Sequence, residues 1–220
     1  MREFENVNAV IFDLDGTLID SMNMWADIDE AFLLEYGVAK PEGFSDAVKK
    51  MTLNEAPQFF NSYISPPLDE EYIKRHIYEL AENFYRDIVE LKDGVYELFD
   101  FLVEKNIPFC IVTATYNYLA KIVTSRLKID KHSKFLLTPI DISENCTKRS
   151  PEIFSIACEK LGFSPDKVLV VEDSLHCIKA AKQAGCKTLG VYDDFSKDDW
   201  EDIQKTADSS VISLRVLSTL

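Results

Sequence analysis

Val10-Ile11-Phe12-Asp13-Leu14-Asp15-Gly16-Thr17-Leu18 is an apolar run that ends in two carboxylates one residue apart, followed by a glycine. Residues 8–12 read as a β-strand covered on both faces, because a short apolar run with β-branched side chains suits such a strand. Asp13 and Asp15 then stand at its carboxyl end. In an open parallel sheet that end is where loops and helix amino termini converge and ligands bind. Two acids so close repel unless a cation or a proton lies between them, so the pair points to a divalent metal or a shared catalytic task. The same residues also describe an Asp-Gly turn in which Asp13 caps a helix, and this stretch alone does not separate the two.

Beyond Leu18 the pattern turns helical, and no strand of similar apolarity returns before Ile107. Met24, Trp25, Ile28, Phe32, Leu33 and Tyr36 recur at helical spacing, with Gly37 placed as a carboxyl cap. Helices are expected over residues 44–51, 54–63 and 69–89, with Ser65-Pro66-Pro67 breaking the last two. The aromatic stripe of Phe59, Phe60, Tyr63, Tyr72, Phe84 and Tyr85 reads as the core of this insertion. After it, strand and helix alternate. Helices are expected at 94–105, 116–127, 151–161, 175–184 and 198–205, and strands at 108–112, 135–137, 168–171, 188–191 and 210–212. Such alternation implies an α/β fold with a doubly wound parallel sheet. The domain reading is a catalytic α/β core of residues 1–17 and 91–220 and a small inserted helical domain of residues 18–90. Residues after Leu214 are expected to form an edge or a loosely held terminus.

Composition narrows the function. With 46% apolar and 28% charged residues the chain is ordinary for a globular protein, and no apolar run nears the roughly 20 residues of a membrane span. The start, Met1-Arg2-Glu3-Phe4-Glu5-Asn6, lacks the basic residues and long apolar run of a secretory signal, so a cytoplasmic location is expected. Lys and Arg total 24 against 38 Asp and Glu, a formal charge of −14 that argues against nucleic acid and anionic membranes as partners. An anionic substrate would need local positive potential, which a metal and one lysine could supply. The five cysteines, Cys110, Cys146, Cys158, Cys177 and Cys186, show no Cys-x-x-Cys spacing and read as reduced, buried thiols. Oligomeric state is left open.

The ends of successive strands can then be compared. The second strand ends at Thr113-Ala114-Thr115, where a hydroxyl and backbone amides could cradle a phosphate, or either threonine could cap the next helix. Thr147-Lys148-Arg149-Ser150 precedes the helix at Pro151, although a lone loop lysine is usually solvated. The fourth strand ends at Glu172-Asp173-Ser174, a second acidic pair that could equally cap a helix. In one doubly wound sheet all four features share an edge, with carboxylates to hold Mg2+ and with Thr113 and Lys148 to bind phosphate oxygens.

Asp13-x-Asp15-Gly16-Thr17-Leu18, Thr113, Lys148 before Pro151-Glu152-Ile153-Phe154, and Glu172-Asp173-Ser174 followed by Ala180-Ala181-x-x-Ala184-Gly185 resemble the haloacid dehalogenase-like (HAD) hydrolase superfamily, in its capped phosphatase and β-phosphoglucomutase-like branch. The resemblance spans nearly the whole chain and implies a Rossmann-like core whose helical insertion is a cap. It implies that Asp13 is the nucleophile that forms an aspartyl phosphate and that Asp15 is the general acid and base. It further implies Mg2+ held by Asp13, the Asp15 backbone carbonyl and Asp173, with Glu172 a further ligand. Thr113, the amide of Ala114 and Lys148 would bind the phosphoryl group, and the cap would close over the substrate and read its leaving group. Trp25, Thr52, Asn54 and Glu55 are the cap candidates for specificity.

The chain also departs from the resemblance. Thr147-Lys148-Arg149 replaces a common Gly-Lys-Pro, and Cys177 replaces a common glycine. Asp15 argues against the dehalogenase branch, which has a single aspartate. Trp25 and Leu53-Asn54 stand where the β-phosphoglucomutase has a hinge histidine and a sugar-phosphate arginine, which argues against a mutase. The expected activity is therefore Mg2+-dependent hydrolysis of a small phosphorylated metabolite such as a sugar phosphate. A phosphomutase is the alternative. A receiver-like signalling module fits less well, since receivers are near half this length and lack both the cap and the second aspartate, and an idle binding protein is disfavoured by the intact acidic set.

Overall fold

Among the residues described by the computed structural model (2–48, 51, 55–143 and 146–217), six strands form one wholly parallel sheet. They are β1 (Ala9–Phe12), β2 (Phe109–Val112), β3 (Leu136–Leu137), β4 (Val168–Glu172), β5 (Lys187–Val191) and β6 (Ser209–Val211). The spatial order is β3-β2-β1-β4-β5-β6, so the chain winds outward from β1 through β2 to β3, then returns to β4 on the other side of β1. The reversal falls between β1 and β4, the position where doubly wound sheets open a crevice at their carboxyl edge. Register makes that edge level: Phe12 pairs with Val171, and the Asp13 N–H extends the ladder to the Val171 carbonyl at 3.0 Å. Asp13 is thereby set beside Glu172 and Asp173.

Both sheet faces are covered, which is why the strands read as unbroken apolar runs. Side chains alternate along a strand. Ala9, Ile11, Cys110, Val112, Val168 and Val170 share a cluster with Ile153, Phe154 and Ala157 of helix 151–161 and Cys177, Ala180 and Ala181 of helix 175–183. On the opposite face Phe99 stacks on Phe109 with ring centres 4.6 Å apart, and Phe12 meets the Phe109 ring edge-on at 5.3 Å. The helices are α1 (Met22–Glu35), α2 (Phe44–Val48), α3 (Ala56–Asn61), α4 (Glu70–Asp87), α5 (Val95–Glu104), α6 (Asn117–Arg126), α7 (Pro151–Leu161), α8 (Leu175–Gln183) and α9 (Trp200–Thr206).

The chain divides into two compact units, Met1–Asp20 with Glu90–Leu220, and Ser21–Val89. Leu18, Ile19 and Asp20, grouped with the insertion on sequence, lie in the sheet-containing unit, as does Glu90. The reason is local bonding: the N–H groups of Leu18 and Ile19 return to the Leu14 carbonyl, and Asp20 N–H donates to the Glu90 carbonyl at 2.9 Å. Ser21–Val89 has its own core of Phe32, Leu33, Phe44, Phe60, Ile64 and Ile73. Phe60 meets the rings of Phe32 and Phe44 at 5.2 and 5.0 Å. Of the expected aromatic stripe, Phe60 and Tyr85 are buried whereas Tyr63 is exposed. α1 ends as expected, with Gly37 N–H bonded to Leu34 and Val38 N–H to Leu33.

Other boundaries shift. α2 and α3 are shorter than the expected 44–51 and 54–63, and residues 49–50 and 52–54 lie outside the described set. The helix expected at 198–205 is preceded by a 3-10 helix, Asp194–Asp199, opened by the Asp193 side chain accepting from Phe195 N–H. The terminus, expected to form an edge or a loosely held end, is docked through residue 217: a 3-10 helix spans Leu214–Leu217, with Leu214 and Leu217 both 1% exposed. No helix of the described residues is long and apolar enough to cross a membrane.

Candidate active site

The loop after β1 folds tightly on itself. Gly16, at φ +81°, turns the chain so that its N–H donates to the Ile19 carbonyl at 3.0 Å, a conformation an L side chain resists. Asp13 is held at the strand end and is only 6% exposed. Lys148, usually expected of a loop lysine to be solvated, is 5% exposed. Its ammonium forms a short bond to Asp13 Oδ1 and donates to Glu172 Oε1 at 2.6 Å. The other Glu172 oxygen accepts from Ser174 N–H at 2.8 Å. Glu172, at the end of β4, thus fixes where Lys148 meets Asp13.

One carboxylate oxygen from each of Asp13, Glu172 and Asp173 lies within 4.8 Å of the other two. Burial pushes the Asp13 carboxyl up to about 7, with Lys148 opposing and Glu172 and Asp15 adding to the rise. Burial, then Glu172 and Asp13, hold Asp173 well above the usual carboxylate range. Burial works against the charge of Lys148, but Asp13 and Glu172 outweigh it and keep the group a cation. One ammonium beside three buried carboxyls is too little positive charge for all three to ionise, and a bound cation would favour their charged forms. An oxygen-only donor set suits a hard divalent ion such as Mg2+.

The plain capping explanations do not describe these residues. Asp173 Oδ1 accepts from the Thr17 hydroxyl at 3.5 Å and Oδ2 from the Ser196 hydroxyl at 2.9 Å. Ser174 occupies the amino cap of α8 but makes no side-chain capping bond. Tyr116, not Thr113 or Thr115, precedes α6. The Thr115 hydroxyl instead donates to Asp15 Oδ2 at 2.6 Å, and the Thr115 N–H donates to Thr113 Oγ1 at 3.1 Å. Thr113 is buried and Ala114 between them is exposed. The ends of β1 and β4 and the loop before α7 therefore gather Asp13, Lys148 and Glu172 into one bonded group with Asp173 close by, while Asp15, Thr115 and Thr113 form a second bonded group from the ends of β1 and β2.

Thr17, Thr115 and Ser196 were not identified as site residues on sequence. Thr17, two residues after Asp15, and Thr115, two after Thr113, lie at strand ends where a hydroxyl can donate to a carboxylate; Ser196 carries no local signal. Of the candidates in the helical unit, Trp25 is half-buried with its ring 6.2 Å from Tyr85, and Glu55 is exposed just before α3. Thr52 and Asn54 lie outside the described residues.

The core is a doubly wound α/β sheet with buried acids and one lysine at its topological switch point, the place where such sheets bind their ligands. The model of the haloacid dehalogenase-like hydrolase family matches residues 10–191, and the chain belongs to that family. Relatives include a phosphorylated carbohydrates phosphatase from Thermotoga maritima, 25% identical over 83% of this chain and 84% of its own length. A phosphoglycolate phosphatase from Escherichia coli strain K12 is 29% identical over 87% of this chain and 83% of that protein. The crystal structure of CbbY from Rhodobacter sphaeroides in complex with phosphate shares the fold, with a TM-score of 0.82, 19% identity and coverage of 96% of each chain.

Proposed function

We propose that this chain is a Mg2+-dependent phosphatase of small phosphorylated metabolites, sugar phosphates foremost, working through an aspartyl phosphate on Asp13. The observation that carries the reading is the buried Lys148 bridging Asp13 and Glu172 beside Asp173. Membership of the family and relatives named as phosphatases of phosphorylated small molecules support it. Five free thiols suit a reducing, cytoplasmic setting.

In this reading an oxygen of Asp13 attacks phosphorus, the bond to the leaving oxygen breaks, and Asp15 donates the proton that the departing alkoxide takes up. Asp15, now ionised, takes a proton from water as that water attacks the phosphoryl phosphorus, releasing phosphate and restoring Asp13. Thr113, the Ala114 N–H and Lys148 bind the phosphoryl oxygens, and Lys148 offsets the charge that develops on them. Asp13, the Asp15 carbonyl and Asp173 would hold Mg2+, which supplies positive charge that lets a dianionic ester approach carboxylates. Glu172, with both oxygens engaged, acts chiefly by orienting Lys148. Ser21–Val89 is assigned the reading of the leaving group, with Trp25, Thr52, Asn54 and Glu55 as its candidates.

The test is phosphate release from a panel of sugar phosphates, 2-phosphoglycolate and p-nitrophenyl phosphate, with Mg2+ and with a chelator. Release that requires Mg2+, and that falls at least about a thousandfold in Asp13→Asn, is the expected result. No release from any ester, or undiminished release by Asp13→Asn, would overturn the assignment.

A further inference from the structure

Lys92 follows directly on the return of the chain from Ser21–Val89, and its N–H donates to the Leu18 carbonyl at 2.9 Å. Its ammonium donates to the Gly16 carbonyl at 2.7 Å, the Tyr192 carbonyl at 3.0 Å and Asp193 Oδ2 at 2.8 Å. An ammonium has three N–H donors, so each is matched by an acceptor within the protein. The side chains of Lys92 and Asp193 are 19% and 8% exposed, so this ion pair is shielded in a way surface pairs are not.

The bonds continue from Asp193 back to the acidic cluster. Asp193 Oδ1 accepts from Phe195 N–H at 2.9 Å and opens the short helix that carries Ser196. Ser196 donates to Asp173, and Asp173 accepts from Thr17, the neighbour of Gly16. Lys92, Gly16, Thr17, Asp173, Ser196 and Asp193 thus form a closed ring that ties the loop after β1 to those after β4 and β5. Asp15 immediately precedes the carbonyl that Lys92 holds. Asp13 is fixed differently, by its ladder bond to Val171 and by Lys148.

We propose that Lys92 is a positioning residue that sets the placement of Asp15 by anchoring the Gly16 carbonyl to Asp193. The inference rests on the reading of Asp15 as the group that protonates the leaving oxygen. Lys92 touches neither nucleophile nor phosphoryl group, so its effect passes through Asp15. A small misplacement of a proton donor is costly where the leaving group needs the proton and cheap where it does not.

The experiment compares kcat/KM of the native chain, Lys92→Met and Lys92→Arg on p-nitrophenyl phosphate, whose leaving group departs without help, and benzyl phosphate, whose alkoxide requires a proton. Lys92→Met should lose about tenfold or more on benzyl phosphate and less than about threefold on p-nitrophenyl phosphate, with Lys92→Arg restoring part of the difference. Should Lys92→Met fail to fold, Asp193→Asn opens the same ring from its other side and should show the same selective loss. Equal losses on both esters, or none, overturn the positioning role while leaving the phosphatase reading intact. No release from either ester by the native chain would remove the phosphatase reading and this proposal together.

Discussion

Thr115 reaches Asp15 across 100 positions of sequence, and its 2.6 Å bond ties the β2 end to the second aspartate. A hydroxyl bond to a carboxylate in a shielded site is worth about 1.5–3 kcal/mol, and each 1.4 kcal/mol is tenfold in rate. Thr115→Val should therefore slow turnover of alkyl phosphates by about tenfold or more, while Thr115→Ser, which keeps the hydroxyl, stays near native; steady-state kinetics on both variants checks this. Parity of the two variants would remove the role. At this scale the acids and the lysine were legible because each ends an apolar run or precedes a helix. Their supporting hydroxyls were not, since a threonine or serine that bonds a distant loop leaves no periodicity in the chain.

Among the elements, the start of α5 depends on the docked terminus. Gly94 sits at φ +87°, and a Cβ there would fall 2.2 Å from the Arg215 nitrogen. Gly162, which ends α7 at φ +83°, has nothing within 4 Å of the same position. Gly162→Ala should cost only the backbone strain of about 1–2 kcal/mol, whereas Gly94→Ala should cost clearly more, because backbone must move as well. Urea unfolding of the two variants separates them, and equal losses would mean that the terminus is not tightly held there. Most helices and strands could be read to within a few residues from apolar spacing and caps. The docking of the terminus was not legible, because Leu214 and Leu217 are buried while the equally apolar Ile212 and Val216 beside them are exposed, so burial there is decided by what each side chain meets.

For the molecule as a whole, charge and pH act together. Burial raises Asp13 to about 7 and Asp29, inside Ser21–Val89, to about 6, and it raises Asp173 as well. A carboxyl whose folded pKa is raised contributes stability that is full below its unfolded value near 4 and is lost as pH climbs through the folded value. In chelator, the unfolding midpoint should therefore fall between about pH 4 and 7, with Asp29→Asn removing the share that belongs to the helical unit. Added Mg2+ should flatten the remaining decline, since a bound cation favours the ionised acids. A midpoint that climbs over this range in chelator would contradict the burial of these acids. The doubly wound architecture itself was legible from alternation, because each covered strand must be apolar throughout. The strand order was not, since pairing depends on which side of β1 each crossover takes.

The two chain crossings at residues 18–20 and 90–92 bond to each other, Asp20 N–H to the Glu90 carbonyl and Lys92 N–H to the Leu18 carbonyl. From the side of the sheet, the intervening stretch is a detour whose two mouths are already zipped shut. Its length and contents can vary with little entropic consequence for closing the loop, which grows only slowly with added residues. A scaffold joined this way can exchange one inserted helical unit for another while the sheet and its strand-end residues stay in place.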